Sequence, residues 1–343
     1  MDIEFHYYMI YLIAAKAGFG AKDAHTIAYA SQYVDDNDLK LEIDKGRPSA
    51  YRNYISQTMN ILKPKAKLFR IYPLFHFVPG DPMSKTAFRK DGKMHWLNTT
   101  PNSQNANAIM DAAARTKNPH RIGVAGHSFA DTWAHQNFVG YYDGFNSMSS
   151  PLDKIIPNIG HADAQHNPDW PALVWRDHRL LAERRANKTI FLDAAAKIFR
   201  KLAKVTFPSA RPAGIKEKGK ELLADLKSAI GERDQTNAAK AERIDRYRAL
   251  SVFTAYGGTE MPVYDSDAWI DAALKEDVRG LRDRSDFTLA RWDPLCDVYS
   301  WKNRRSYKQT DWYLFQEAVK HHQNSAWEIL IQTNLKGLQL PRM

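Results

Sequence analysis

The segment from Gly126 to Phe138 constrains the fold more than any other stretch of this sequence, because its polar residues repeat at helical spacing. His127, Asp131 and His135 are each four residues apart, so in a helix they share one face, about one turn from each other. Imidazole nitrogen and carboxylate oxygen are ligands that suit zinc and similar divalent cations. The segment therefore predicts a helix that presents metal ligands. An amphipathic helix with two polar-face histidines would have the same spacing.

The remaining sequence favours helices over strands. Apolar residues recur at helical spacing in many segments, and no stretch shows sustained alternation of apolar and polar residues. Helices are predicted over residues 3–17, 23–33, 49–62, 102–115, 121–138, 171–205, 265–284 and 310–332. These patterns predict a mainly α fold with long loops between its helices.

Charge divides the chain into three expected parts. Residues 1–205 carry most candidate ligands and are predicted to form a metal-binding helical core. Residues 206–250 begin with a Pro/Gly/Lys stretch and are highly charged, which is typical of a solvated helical excursion or linker. Residues 251–343 are expected to be C-terminal helices that pack on the core.

Composition limits the kind of metal site and of partner. The net charge of +10 and the pI near 9.4 favour anionic partners such as phosphodiesters, nucleic acid or acidic lipid surfaces. Cys296 is the only cysteine, which excludes an internal disulfide and a cysteine-based zinc site. Any metal must therefore be held by His, Asp and Glu side chains.

The sequence also bears on localisation. No run approaches the roughly 20 apolar residues that a membrane span needs. The N-terminal residues lack the basic region and the small-residue cleavage site of a secretory signal. We therefore expect a cytoplasmic chain without a transmembrane segment, and signal-less export stays open.

Histidines and acidic residues concentrate in five places in the first half of the chain. This concentration is what several metals in one cleft would require, and Asp131, between two histidines, is best placed to bridge two of them. Metals roughly 3.5–4 Å apart activate water and stabilise the oxygens of a reacting phosphoryl group. The five places are His6; Asp35, Asp36 and Asp38; His76; His127, Asp131 and His135; and His161, Asp163, His166 and Asp169.

The order of these residues resembles the superfamily of zinc-dependent phospholipases C and fungal single-strand nucleases. Those proteins are all-helical and hold a trinuclear zinc site that hydrolyses phosphoesters. The segments Phe5-His6-Tyr7, Gln32-Tyr33-Val34-Asp35-Asp36 and Gly160-His161-Ala162-Asp163 also resemble a bacterial family of unknown function. The first resemblance implies a multi-helix domain of the zinc-dependent phospholipase C type.

The resemblance to the zinc enzymes also implies roles for particular residues. It implies that Asp35 or Asp36 ligates a metal and assists the attacking water, and that Asp131 bridges two metals. The resemblance matches His6, His76 and His127 to further metal ligands. Together with candidates read from the residues of this chain alone, the full set of expected ligands is His6, Asp35, Asp36, His76, His127, Asp131, His135, His161 and Asp163.

Three details depart from that superfamily. Its next histidine follows the bridging acid by six residues, whereas His135 follows Asp131 by four. It then uses H-x3-E, where this chain has His161-x-Asp163 and His166-x2-Asp169, the latter in an Asn-Pro-Asp sequence that also suits an ordinary turn. The superfamily also uses the amine of a processed N-terminal residue as a ligand, well before the first histidine. Met1 is only five residues ahead of His6.

These observations predict a metal-dependent phosphoester hydrolase, with two or three zinc ions or other divalent metals in its site. The expected substrate is an anionic phosphodiester, either phospholipid or nucleic acid. A zinc-dependent nuclease is one alternative, and a non-catalytic, metal-stabilised binding or toxin-associated module is another. Because a free phospholipase or nuclease would harm its own cell, a cognate inhibitor or a secretion partner is a further expected partner.

Overall fold

The structure, a computed structural model, describes residues 1–58, 68–148, 159–277 and 298–336. A π-helical segment, Glu4–Met9, leads directly into the first α-helix. The α-helices are α1 (Ile10–Lys16), α2 (Ala21–Asp36), α3 (Tyr72–Phe75), α4 (Gln104–Arg115), α5 (Pro119–Ala134), α6 (Asn187–Thr206), α7 (Pro212–Ile230), α8 (Lys240–Ser251), α9 (Ala268–Ala273) and α10 (Asp311–Gln332). The strands are β1 (Glu42–Ile43), β2 (Tyr51–Arg52), β3 (Val174–Arg176), β4 (Arg184–Ala186), β5 (Leu274–Asp277) and β6 (Val298–Trp301).

Helix α5 lies at the centre of the molecule and packs against α2, α4, α6 and α10. It begins directly after a typical start signal: the side chain of Asn118 accepts a hydrogen bond from the backbone N–H of Arg121, and Pro119 is the first helical residue. All but two of its residues are buried, and those two, Pro119 and Arg121, lie in its first turn, which places His127 and Asp131 inside the protein. The central helix expected from the sequence is therefore present, but it ends at Ala134.

The prediction of a mainly α fold of the zinc-dependent phospholipase C type is wrong, because two small sheets accompany the helices. One sheet has the strand order β2-β1-β6-β5 and is mixed, since β1 is parallel to β6 while the other pairs are antiparallel. The second sheet is the antiparallel pair β3 and β4. These strands have only two to four residues, too few for alternation to be recognised in the sequence.

Several predicted helices contain these strands. The predicted helix over 49–62 contains β2, and its residues 59–62 lie outside the described ranges. The β3 and β4 hairpin occupies the start of the helical pattern predicted over 171–205. Helix α9 is followed at once by β5 within the predicted helix over 265–284, of which residues 278–284 are not described.

The charged segment between residues 206 and 250 includes helices α7 and α8. Leu222, Leu226 and Tyr247 from these helices are fully buried in the same hydrophobic cluster as α1 and α6. Arg243 of α8 also makes a bidentate ion pair with Glu4, with N–O distances of 2.8 and 2.9 Å. These contacts tie α8 to the π-helical segment that carries His6.

The close packing of α5 on α2 depends on Gly123. A Cβ atom at this position would lie 2.4 Å from the carbonyl oxygen of Ile27 and 2.7 Å from the Cβ of Ala30. Because both obstacles belong to the backbone or to a short side chain, any larger residue must push the two helices apart. Gly123 thereby sets the separation at which His127 of α5 reaches α2.

We expect Gly123→Ala to lower the free energy of unfolding by about 1–3 kcal/mol through overpacking. Gly126→Ala is the matched control, since a Cβ there has no neighbour within 4 Å. That control should be neutral or stabilising by up to about 1 kcal/mol, because alanine is the better helix former. Urea denaturation of both variants measures the difference, and equal stabilities would contradict the close approach of α2 and α5.

Candidate metal centre

The carboxylate of Asp131 lies at the centre of a ring of nitrogen atoms. Its side chain is buried, and both of its oxygens face basic groups from different parts of the chain. The nitrogens nearest Oδ1 are the Met1 amine at 2.6 Å and His6 Nε2 at 3.1 Å, and those nearest Oδ2 are His127 Nε2 at 3.2 Å, His76 Nδ1 at 3.4 Å and His135 Nδ1 at 3.5 Å. A carboxylate with both oxygens so surrounded has the geometry to bridge two cations.

Backbone carbonyls determine which nitrogen of two of these histidines carries its hydrogen. A carbonyl oxygen can only accept, so His127 Nδ1 donates to Ser31 O at 2.8 Å and His76 Nε2 donates to Ser56 O at 3.0 Å. In the neutral rings, His127 Nε2 and His76 Nδ1 are then bare acceptors, and they face each other across 3.0 Å. Metal-binding histidines are typically oriented by such hydrogen bonds on the opposite ring nitrogen.

Two carboxylates face the same pair of bare nitrogens. Asp35 Oδ1 lies 3.7 Å from both His76 Nδ1 and His127 Nε2, and Asp131 Oδ2 is closer still. Four acceptor atoms therefore converge on one point, and mutual repulsion requires a cation or an added proton between them. Asp35, His76 and His127 form the first group of side chains that could hold a metal ion, and Asp131 borders it.

The end of helix α2 holds Asp35 in position. Asn37, which follows the helix, donates from its side-chain amide to Tyr54 O at 2.9 Å and to Ser56 Oγ at 3.0 Å, and its side-chain oxygen accepts from Gln316 at 2.8 Å. Ser56 in turn donates to Val34 O at 2.8 Å. The same short segment thus fixes the end of α2 and orients His76.

A second group consists of His135, His161 and Asp169. His135 Nδ1 donates to His76 O at 2.7 Å, and His161 Nδ1 donates to Gln165 O at 2.9 Å. The free Nε2 atoms of both rings then lie 3.9 Å from the two oxygens of Asp169. Asp169 Oδ1 is buried and makes no hydrogen bond, so it is a carboxylate oxygen that would fit as a ligand to a cation.

The third group is formed by His6, His127 and Asp131. His6 lies in the π-helical segment and stacks on the ring of His127 with a centroid separation of 3.9 Å. The Met1 amine is buried beside this group and also lies 3.5 Å from Asp169 Oδ1. All three groups therefore meet around Asp131 and the start of the chain.

The environment keeps the imidazoles of His6, His127 and His135 in the neutral form that a metal ligand needs. Burial lowers the pKa of His127 to about 4 and lowers the pKa of His6 and His135 well below the usual value. Burial also raises the pKa of Asp35 well above its usual range, and the neighbouring Asp131 adds to this effect. Burial alone would raise the pKa of Asp131, but the surrounding nitrogens, His135 first, outweigh it and hold that pKa well below its usual value.

The groups open onto a cleft rather than a sealed interior. Its cavity volume is about 350 Å³, and candidate ligands from the first and second groups line it together with Tyr72 and Phe77. Asp35 is the most accessible ligand of the first group, with 30% of its side chain exposed. A small molecule can therefore reach the groups from outside.

Other residues proposed from the sequence lie away from these groups. The side chain of Asp36 accepts hydrogen bonds from Tyr264 at 2.5 Å and Gln32 at 3.5 Å, and Asp163 accepts one from the backbone N–H of Met148 at 2.9 Å. Asp38 lines a different depression, at the end of α2. None of the three belongs to a candidate metal group in the described part of the chain.

His135 and Asp169 differ from the sequence-based interpretation in their placement. His135 follows the last residue of α5. Its Nδ1 still lies 3.5 Å from Asp131, and its ring also belongs to the second group with His161 and Asp169. Asp169 replaces Asp163 as the acid nearest His161. The three-residue spacing of His166 and Asp169 could have identified Asp169 as a candidate ligand. The ring of His166 is itself largely exposed.

Comparison with known proteins gives a family but no activity. The model of the family DUF6765 matches residues 1–330. The chain belongs to this family of unknown function. No curated protein and no solved structure shows significant similarity to the chain. Membership in DUF6765 thus supports neither the resemblance to zinc-dependent phospholipases C and nucleases nor a bacterial origin.

Within the described ranges, every helix is too short or too polar to cross a lipid bilayer.

Proposed function

We propose that this chain is a metal-dependent phosphoester hydrolase that holds two or three zinc ions around Asp131. The observation that carries the proposal is that bare imidazole nitrogens and carboxylate oxygens converge beside Asp131, and that among the described residues no hydrogen-bond donor lies between those of the first group. Mixed nitrogen and oxygen ligands suit zinc, and other divalent metals that prefer the same ligand atoms fit the same groups.

The open cleft favours catalysis over a purely structural role. Structural zinc sites are closed by four protein ligands, whereas catalytic sites keep a position for water or substrate. The second group offers three protein ligands, His135, His161 and Asp169, and it lines the cleft. This arrangement argues against the non-catalytic, metal-stabilised module.

Phosphoester hydrolysis is the chemistry that fits several cations in one cleft. Bound divalent ions would lower the pKa of a coordinated water and neutralise the charge that develops on the phosphoryl oxygens. Among the side chains of the first group, Asp35 is partly exposed to the cleft, so it is suited to take the proton of the attacking water. Asp36 points toward Tyr264 and is not assigned this role.

The substrate class follows from charge. The net charge of +10 favours an anionic phosphodiester, and phospholipid and nucleic acid both meet that condition. A soluble chromogenic diester, bis(p-nitrophenyl) phosphate, tests the reaction without choosing between them.

We expect protein treated with chelator to lose phosphodiesterase activity and to regain it when zinc is restored. In the zinc-loaded protein, His127→Gln should lower the rate by about a hundredfold or more, because even residues that only orient metal ligands contribute 10–100-fold. His178→Gln is the control, since His178 is 67% exposed and lies in none of the three groups. Equal rates for wild type and His127→Gln would refute the hydrolase assignment.

A further inference from the structure

A second cavity lies between helices α6 and α7, far along the chain from the candidate ligands. Its volume is about 610 Å³, and its floor is apolar, with Phe199, Phe207, Ile215 and Leu223. Gly219 helps to keep this space open, because a Cβ there would lie 3.1 Å from the ring of Phe199. We call this cavity the α6–α7 groove. It shares no lining residue with the cleft of the metal centre.

Four basic side chains surround the apolar floor. Arg200 and Lys204 are one turn apart on α6, and Lys216 and Lys220 are one turn apart on α7. All four residues are exposed. Within the described part of the chain, Lys220 pairs with Glu217 at 3.0 Å, while Arg200, Lys204 and Lys216 make no ion pair. The groove therefore combines an apolar floor with unneutralised positive charge at its rim.

The start of α7 adds to the positive potential. Arg211 precedes this 19-residue helix and gives it no side-chain cap, and Pro212, its first residue, has no N–H group. The N–H of Gly214 donates to Arg211 O at 3.0 Å, so the first turn contributes its helix dipole rather than a set of free amides. The positive end of the helix dipole favours an anion there. Phe207 is itself held in place, since its ring packs on Gly18 and the side chain of Thr206 donates to Ala17 O.

We propose that the α6–α7 groove binds a single-chain anionic amphiphile such as a fatty acid, with its hydrocarbon on the apolar floor and its carboxylate among the four cations. The occupant follows from size and charge. A volume of about 610 Å³ falls within the 300–1,000 Å³ typical of small-molecule sites. A docked protein helix would need a contact surface of about 800 Å² on each partner, which a cavity between two joined helices does not offer.

The test is calorimetric titration of dodecanoate into the full-length protein, below the concentration at which the fatty acid forms micelles. We expect saturable binding with one site per chain. Decanoate should bind about tenfold more weakly, because each buried methylene changes the affinity about threefold to fourfold. Uncharged dodecanol should bind more weakly than dodecanoate, since it forgoes the basic rim.

Matched variants locate the site. Lys216→Glu should weaken dodecanoate binding about three- to tenfold. Lys227→Glu makes the same charge change on α7 outside the groove and should leave binding as in the wild type. Ala196→Phe fills the groove and should abolish binding, whereas Ala224→Phe, on an exposed position of α7, should not. Circular dichroism of all four variants checks that they remain folded.

Three results would overturn the proposal. The first is no saturable dodecanoate binding to the wild-type protein. The second is equal binding of dodecanoate and dodecanol, or equal effects of Lys216→Glu and Lys227→Glu. The third is binding of an acidic amphipathic peptide in the absence of fatty-acid binding, which would make the groove a protein-docking surface. None of these outcomes depends on the metal centre or on hydrolysis.

Discussion

Asp131→Asn is expected to release most of the bound zinc and to lower phosphodiesterase activity by about a hundredfold or more. The variant has nearly the same shape as the wild type, but an amide has one neutral oxygen in place of two anionic ones. Both oxygens of Asp131 lie within 3.5 Å of ring nitrogens of the candidate groups. Its replacement should therefore weaken the first and third groups together.

The control for this variant is Asp111→Asn, which removes a carboxylate that pairs with Lys201 at the surface. Isothermal titration calorimetry with zinc and chelator-treated protein compares the zinc affinities of the two variants with that of the wild type. Asp111→Asn should bind zinc as the wild type does. If Asp131→Asn retained wild-type zinc affinity, Asp131 would not be a bridging ligand, whatever the activity of the protein.

Arg243→Met is expected to lower the free energy of unfolding by about 3–5 kcal/mol. Arg243 and Glu4 are both almost completely buried, at 1% and 0% side-chain exposure, and their ion pair is bidentate. Arg243 also donates to Asp234 at 2.9 Å. Removal of the guanidinium leaves the carboxylate of Glu4 buried without its partner. The free-energy cost of this unpaired charge exceeds the net stabilisation that the ion pair provides.

Urea denaturation measures this effect, with Arg248→Met as the control on the same helix. Arg248 pairs with Glu260, whose side chain is 56% exposed, so its loss should cost less than about 1 kcal/mol. The double variant Glu4→Gln/Arg243→Met should recover part of the lost stability, because no buried charge remains at residue 4. Equal destabilisation by Arg243→Met and Arg248→Met would contradict the buried pair.

This ion pair also connects the charged segment to the candidate metal centre. Glu4 lies two residues before His6 in the same π-helical segment, so α8 helps to position that histidine. The division of the chain into a core of residues 1–205, an excursion of 206–250 and C-terminal helices stays a prediction. The burial of Leu222 and Leu226 nevertheless shows that part of the charged segment contributes to the hydrophobic core.

The sequence was most informative where one helix carries several ligands. The four-residue spacing of His127 and Asp131 placed both correctly on α5, because helix geometry alone relates them. His135 belongs to the same pattern but lies beyond the end of the helix, and no start or stop signal near Ala134 indicated that end. The choice between Asp163 and Asp169 depended on a loop, whose conformation local spacing does not determine.

The sequence did not predict the sheets, because their strands also depend on contacts that local spacing does not determine. β1 pairs with β6 between Ile43 and Tyr299, residues far apart in the chain, and β1 itself has only two residues. Such a strand is stabilised by its distant partner rather than by its own sequence pattern. The helices predicted over 102–115 and 310–332, in contrast, agree with α4 and α10 because their amphipathic patterns extend over three or more turns.

The most direct test of the metal centre is the metal content of wild-type protein purified without chelator or nickel, measured by inductively coupled plasma mass spectrometry. Three groups of ligands around Asp131 predict two or three equivalents of zinc, or of another divalent metal, per chain. Protein that is folded yet carries no bound metal, and takes up none when zinc is added, would contradict the account. The histidines around Asp131 would then form only a buried polar network, and both the metal centre and the proposed hydrolase activity would be refuted.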